Sequence, residues 1–550
     1  MSDVFDPISL EIYWSRLISI ADESAAALLR TAFSTVVRES NDFTTVLMDA
    51  DCNCLSENTA GIPSFVGMLP SAVRSFLQHI PREEWRPGDC IITNDPEIGS
   101  GHLPDITMAA PIFYKDRLVG FSGSIAHLPD IGGAGWAGDC RELVEEGLRL
   151  MPVKFISEGR ENTYVTQLIR HNVRAPDQVI GDIYAQVSAQ RVCAAGVRQF
   201  LEDTGMDDLV LLSAELRARA EAAMRKAIEA LPDGSWTSSV RADGFDADET
   251  FINCRLTIRG SDLEIDFEGT SPQINRGINS VLKYTTAYAT YPIKCALDPE
   301  SPRNEGSFQP VSVKAPVGSI LNPIFPAPVA ARQLTGHLLT GAIYGCLAQV
   351  VPELVVAESG SAPTLRAVFG GRTRDGQAFN QVLFASGGLG ASSRMDGYGC
   401  TAFPSNTGAG SIEVLESVSP LLVRHKELAQ DSGGAGRFRG GLGQDVVLDI
   451  QSDSPVNISL LSDRHKYPPQ GLLGGRPGSK SIVALSDGTC LHPKSRSVLQ
   501  SGETLHIHFP GGGGFGPPAD RDPAAIKRDI EFGYVSQDAA EKLYGVRNDR

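Results

Sequence analysis

The stretch NDPEIGSGHLPDITMAAPIFYKDRLVGFSGSIAHLPDIGG, residues 94–133, decides how the rest of the chain is read. His102 and Asp105 stand three positions apart with Pro104 between them, and glycines precede them, so this part reads as a loop rather than a helix. Residues 106–114 then read as a strand, Lys115-Asp116-Arg117 as a turn, and residues 118–126 as a returning strand. A hairpin with a turn of about two or three residues makes His127 face Pro104 or Asp105. The pentapeptide HLPDI occurs at 102–106 and again at 127–131. Two imidazoles and a carboxylate returned to one place suit Zn²⁺, Mn²⁺ or Fe²⁺, with positions left open for water or substrate. Asp95 and Asp130 are close enough in sequence to orient a ligating imidazole. A histidine taken singly is better explained by a hydrogen bond to backbone. The repeated motif and the hairpin together are what favour a metal site.

Working outward, residues 8–38 have helical periodicity and residues 43–48 (FTTVLM) read as a strand. Residues 179–231 form a long helical stretch broken near Asp203-Thr204-Gly205. Residues 237–270 read as several strands, and residues 278–296 and 335–351 as helices. From about 365 to 510 the chain is glycine-rich and strand-like, as in DVVLDI (445–450), SIVAL (481–485) and TLHIHF (504–509). PGGGGFGPP (510–518) reads as a hinge or a close-packed loop before a helical tail at 523–545. The expectation is a multi-domain α+β chain, β-rich with long helices. Its expected parts are an α+β metal-site domain (1–233), a middle α/β domain (234–364), a glycine-rich β domain (365–518) and a helical tail (519–550).

Composition narrows the function. With 550 residues and 42% of them hydrophobic, the chain can bury several cores. Its 56 glycines and 34 prolines turn it often, which favours sheets over a helical bundle. A formal charge of −17 with no basic run opposes binding to nucleic acid or to anionic lipid. No window approaches the apolar length of a membrane span, and Met1–Arg16 lacks the pattern of a signal peptide. The ten cysteines are scattered, with only Cys52 and Cys54 close together, as expected of reduced thiols in a cytoplasmic protein.

Other motifs are weaker. SGGAGRFRGGLG (432–443) lacks the Gly-Lys-Ser/Thr ending of a phosphate loop, and GGGGFG (511–516) lacks a lysine. Close backbone packing is the simpler use of these glycines. Ser122 in GFSGS departs from the nucleophile-elbow pattern. Glu145 and Glu146 are candidate general bases whose ordinary reading is a solvated acidic pair.

Ordered motifs along almost the whole chain resemble the hydantoinase B/oxoprolinase family. They include RESNDFTTVLMDAD (38–51), NDPEIGSGHLPDIT (94–107), AHLPDIGG (126–133), EGLRLMPVKF (146–155), NVRAPDQVIGDIYAQ (172–186), ELAQDSGGAGRFRGGLGQ (427–444) and PGGGGFG (510–516). The resemblance implies a hydantoinase B-like fold and one component of an ATP-dependent enzyme that opens cyclic amides such as hydantoins, 5-oxoproline or lactams. A separate A-type subunit would bind ATP and phosphorylate the substrate, and this B-type chain would carry a divalent metal (Zn, or Mn or Fe) in a hetero-oligomer. Ligands in related carboxylases map onto His102, Asp105 and His127. The early Asp-Phe-Ser/Thr motif adds Asp42 as a fourth ligand or base, and Asp130 would orient a ligating histidine. An ATP-dependent carboxylase of the acetone or acetophenone type would use the same ligands, and a non-catalytic scaffold for the A-type partner is a third reading. Two departures stand out: Leu128 replaces a histidine common in relatives (AHHADIGG), and Leu150-Met151-Pro152 stands where relatives often read IPP.

Overall fold

Asp6 starts the first helix: its carboxylate accepts the amides of Ile8 and Ser9, and Pro7 fills the first helical position. The computed structural model describes residues 5–65 and 67–546, and this helix runs Pro7–Thr31. The sequence reading extends it to residue 38. Instead the chain leaves the helix at Ala32 and resumes only as the turn Thr35–Arg38. The cause is buried Asp182, on the helix Pro176–Thr204, whose Oδ1 accepts the amides of Phe33 and Ser34. Those donors are then unavailable to continue the helix.

The 106–126 hairpin is central to a seven-stranded antiparallel sheet. The strand order is Cys54–Glu57, Phe43–Asp49, Arg117–His127, Asp105–Tyr114, Cys90–Thr93, Val153–Ser157 and Arg160–Glu161. Lys115 and Asp116 make a two-residue turn with φ of 47° and 60°, the left-handed pair that matches strand twist. Asp105 pairs with His127, and an irregularity between Ile112 and Phe113 shifts the register by one before Tyr114 meets Arg117. Both registers allowed by the sequence thus occur in one hairpin. The helices Pro7–Thr31 and Pro176–Thr204 pack on each other, and the second lies against the hairpin strands. Two further helices, Met68–His79 and Thr163–Asn172, fall in segments where the sequence reading assigns none.

A second sheet joins Gly234–Phe245, Asp248–Arg259 and Asp262–Asp266, with Val311–Lys314 added in parallel. The helix Leu338–Leu347 packs on its first two strands, and Leu282–Leu297 packs on Leu338–Leu347. Its core is continuous with that of the first sheet: one hydrophobic cluster takes in Met48, Ile106, Ile125, Ile252, Tyr288 and Leu339. Position 233/234 is therefore a turn between elements that share a core.

Residues 366–509 form two four-stranded sheets face to face. Alternate residues point inward, Val446, Leu448 and Ile450 from one sheet and Ala367, Phe369, Ile458 and Leu460 from the other. The glycine-rich segments thread beside this sandwich in backbone-to-backbone contact. Gly434 donates to the Gly512 carbonyl and Gly512 to that of Gly441. A Cβ on Gly440 would lie 1.9 Å from the Gly512 carbonyl oxygen. PGGGGFGPP is thus a close-packed thread rather than a hinge, and the amides of Gly434, Gly440 and Gly441 in 432–443 are engaged by carbonyls. Among the described residues, no helix is long and apolar enough to cross a membrane.

Candidate metal centre

Asn94 shapes the loop ahead of the hairpin. Its amide nitrogen donates to the carbonyls of Leu103 and Leu148, and its oxygen accepts the Leu150 amide. This clasp turns His102 back over the end of the sheet, where the pairing of Asp105 with His127 sets the other two side chains. Asp105 Oδ1 lies 2.8 Å from His127 Nδ1 and 2.9 Å from His102 Nε2. Ligand atoms of the three residues lie within 4.8 Å of one another, and all three residues are buried. Ser100 Oγ and Arg332 Nη2 each donate to Asp105 Oδ2 at 2.7 Å, so this oxygen is fixed and Oδ1 faces the imidazoles.

The tautomer of His102 follows from its contacts. Its Nδ1 is 2.9 Å from the carbonyl oxygen of Ala330, a position that requires an N–H there. In the neutral ring Nε2 is then a lone-pair acceptor. It is buried, has no hydrogen-bond partner among the described residues, and stands beside a carboxylate oxygen. Protonating the ring would relieve this contact, but burial and then the Arg332 guanidinium push His102 down to about 4. Burial also opposes the charge on Asp105, yet the neighbouring His102, Arg332 and the hydrogen bond from His127 hold its carboxyl well below the usual range. A neutral imidazole nitrogen and a carboxylate oxygen, both acceptors and both buried, fit a shared cation.

Asp42 lines the same cavity and its backbone carbonyl accepts the His127 amide, but its carboxylate is not in the convergent group. Burial raises its carboxyl and Asp105 adds to this, while His127, Arg366 and Arg332 oppose it. Asp130, expected to orient a histidine, is instead bound by the Arg174 backbone and guanidinium and by the Gly132 amide. Asp95 pairs with Arg149. No hydrogen bond joins either aspartate to His102 or His127: the first imidazole is held by Ala330 and the second by Asp105. Glu145 is exposed, but Glu146 is fully buried, unlike a solvated pair. Glu146 Oε1 accepts the amides of Val329 and Ala330 at 2.5 and 2.9 Å, so it positions the carbonyl that holds His102. Leu128 lies buried in the main core. Ser122 lies within a strand and bonds Gln190, without the exposure of a nucleophile elbow. The thiols of Cys52 and Cys54 are buried and pushed up by burial, that of Cys52 to about 12.

Much of the cavity wall comes from far along the chain. Trp136 packs against His127 in a tilted arrangement, 4.4 Å between ring centroids and 47° between planes, and Arg332 lies over the Tyr284 ring at 4.1 Å. Arg366, fully enclosed, donates to Thr407 and to the carbonyls of Leu365 and Ala385. Tyr288, Gln333 and His337 also line the cavity. None of these residues carries a local sequence signal; Arg332 lies 227 positions from the aspartate it holds.

Fold and site define a multi-sheet α+β protein with a buried His₂-carboxylate cluster where three stretches of chain meet. The chain belongs to the hydantoinase B/oxoprolinase family, whose model matches residues 6–518. It is 33% identical to a putative D-/L-hydantoinase component, the B-type subunit, of Pseudomonas sp. (strain NS671), covering 98% of this chain and 95% of that one. The crystal structure of the ATP-dependent caprolactamase from Pseudomonas jessenii matches with a TM-score of 0.92 at 29% identity, covering 100% and 97% of the two chains. An acetone carboxylase in its nucleotide-free form shares the fold, with a TM-score of 0.89 at 20% identity over 98% of this chain and 80% of that one. Relatives named as one component of a multi-subunit hydantoinase or caprolactamase imply a partner for this chain.

Proposed function

We propose that this chain is the metal-binding B-type component of a two-component ATP-dependent amidohydrolase that opens a cyclic amide activated by an A-type, ATP-binding partner. The observation that carries the reading is His102 Nε2, unpartnered among the described residues, facing Asp105 Oδ1 beside His127 in a buried cluster. A divalent ion held by His102, Asp105 and His127 would supply Lewis acidity and lower the pKa of a water. The remaining work falls to the chain. Ala330, itself held by Glu146, fixes the tautomer of His102. Ser100 and Arg332 lock Asp105 against rotation. Asp42 lines the cavity and burial shifts it toward its protonated form, which supports assigning it proton exchange with the substrate ring. Trp136, Tyr284 and Tyr288 add apolar ring surface to the cavity wall, which lowers the polarity around each polar contact inside. Activation by ATP is needed because amide resonance makes an unstrained ring carbonyl a poor electrophile. The test is co-purification with the A-type partner, followed by a panel of hydantoins and lactams with ATP. ATP-dependent ring opening that His102→Ala abolishes is the expected result. Full activity in a folded His102→Ala variant would end the assignment, and a carboxylated product formed only with bicarbonate would replace it with a carboxylase.

A further inference from the structure

Gln333 opens the short helix Gln333–Gly336, one residue after the arginine that holds Asp105. It is only 6% exposed and lines the cavity of the candidate metal centre. Among the described residues, neither its side-chain oxygen nor its side-chain nitrogen has a hydrogen-bond partner. Trp136 Nε1, in the same wall, is also buried and unpartnered. The nearby guanidiniums are engaged: Arg332 by Asp105 and the Ser100 carbonyl, Arg366 by Thr407 and two carbonyls. A buried carboxamide left without partners is costly to the fold, so a ligand that completes its hydrogen bonds binds with that advantage.

The idle groups are neutral. Gln333 offers one acceptor and two donors, and Trp136 offers one donor. Their complement is a neutral group with a donor and an acceptor side by side. A ring amide is such a group, because closure holds N–H and C=O cis, and a carboxamide meets that edge through two parallel hydrogen bonds. This argument rests on the function proposed above, which adds a constraint. When the carbonyl oxygen of a ring amide forms a bond to the γ-phosphorus of ATP, the bond to ADP breaks and the N–H proton leaves to water. The –NH–C(=O)– unit becomes –N=C(–O–P)–, and its donor is lost. A simple lactam then has no such edge left. A cyclic ureide has a second one.

We propose that Gln333 reads the unactivated amide edge of a cyclic ureide, so that this chain serves hydantoin-type rings in preference to simple lactams. Binding of hydantoin and of 1,3-dimethylhydantoin, which has no N–H, to the full-length chain and to Gln333→Leu tests this by NMR titration. Dimethylation and Gln333→Leu should each weaken binding by about tenfold or more, and together no further than either alone. The methylation arm needs no variant and stands even if Gln333→Leu fails to fold. In the complex with its ATP-binding partner, kcat/KM for 5-methylhydantoin should exceed that for 2-pyrrolidone by about tenfold or more, and Gln333→Leu should erase the difference. Equal binding of hydantoin and its dimethyl form by the wild-type chain, no binding of hydantoin, or equal turnover of ureide and lactam would each overturn the proposal. Loss of ATP-dependent hydrolysis on every ring, with the binding difference intact, would instead count against the amidohydrolase reading alone.

Discussion

Replacing Glu146 by Gln should make the protein more stable at high pH and remove a pH dependence that the wild type has. The carboxyl of Glu146 is fully buried, and burial pushes it up to about 8 from an ordinary value of 4.5. A group whose folded pKa is raised contributes stability that is fully present below its unfolded pKa. That stability is lost as pH rises through the folded value. Between about pH 4.5 and pH 8 the wild type should therefore lose stability by at most about 1.4 kcal/mol per pH unit, with a ceiling of about 5 kcal/mol across the window. Gln keeps an oxygen for the amides of Val329 and Ala330 and carries no charge at any pH. The two proteins should thus be similar near pH 5 and diverge above it, with Glu146→Gln the more stable. Urea unfolding of both proteins at intervals from about pH 5 to pH 9 measures this directly. Parallel stability profiles, or a wild type that gains on the variant as pH rises, would refute the reasoning. Because the Ala330 carbonyl stays in place, metal affinity should change little in Glu146→Gln. Glu146→Ala, which leaves the two amides unpaired, should weaken it by about 10–100-fold.

Arg332→Met removes the cation from a buried pair in which both side chains are under 5% exposed, and should destabilise the chain by about 3–5 kcal/mol in chelator-treated protein by urea unfolding. A loss below about 1 kcal/mol would show that Asp105 does not depend on Arg332 for its charge. Gly440→Ala places a methyl 1.9 Å from the Gly512 carbonyl oxygen, so it should unfold or aggregate the glycine-rich layer, seen as loss of soluble protein or of a cooperative melt. A normally melting Gly440→Ala would mean that the threads have room to move apart.

The hairpin is legible in the sequence because its information is local. A turn of charged residues, apolar runs on both sides and a repeated HLPDI fix which residues come together. The structure pairs Asp105 with His127 accordingly. Asp105 also shows where local reading stops. Its two histidine neighbours lie within 22 positions, but its arginine lies 227 positions away on a different sheet-and-helix unit. The same holds for the Ala330 carbonyl, Glu146 and Arg366, which reach the site only through tertiary packing. Asp130 misleads because proximity in sequence is not proximity in space: its carboxylate turns away to Arg174. The end of the first helix misleads for a related reason. Periodicity continues through residue 38, while the break is imposed by Asp182 from another helix. The glycine-rich threads have a clear compositional signal, but which backbone each glycine meets depends on segments tens of residues apart.

The proposed chemistry requires His102, Asp105 and His127 to share one cation. Elemental analysis of the protein, reloaded with Zn²⁺, Mn²⁺ or Fe²⁺ and passed through a desalting column, tests it most directly alongside folded His102→Ala, Asp105→Asn, His127→Ala and Asp130→Asn variants. The expected result is about one tightly held ion per chain in the wild type and in Asp130→Asn, and under about a tenth of that in each of the other three. Full metal content in His102→Ala, Asp105→Asn and His127→Ala would place the ion elsewhere and contradict the account.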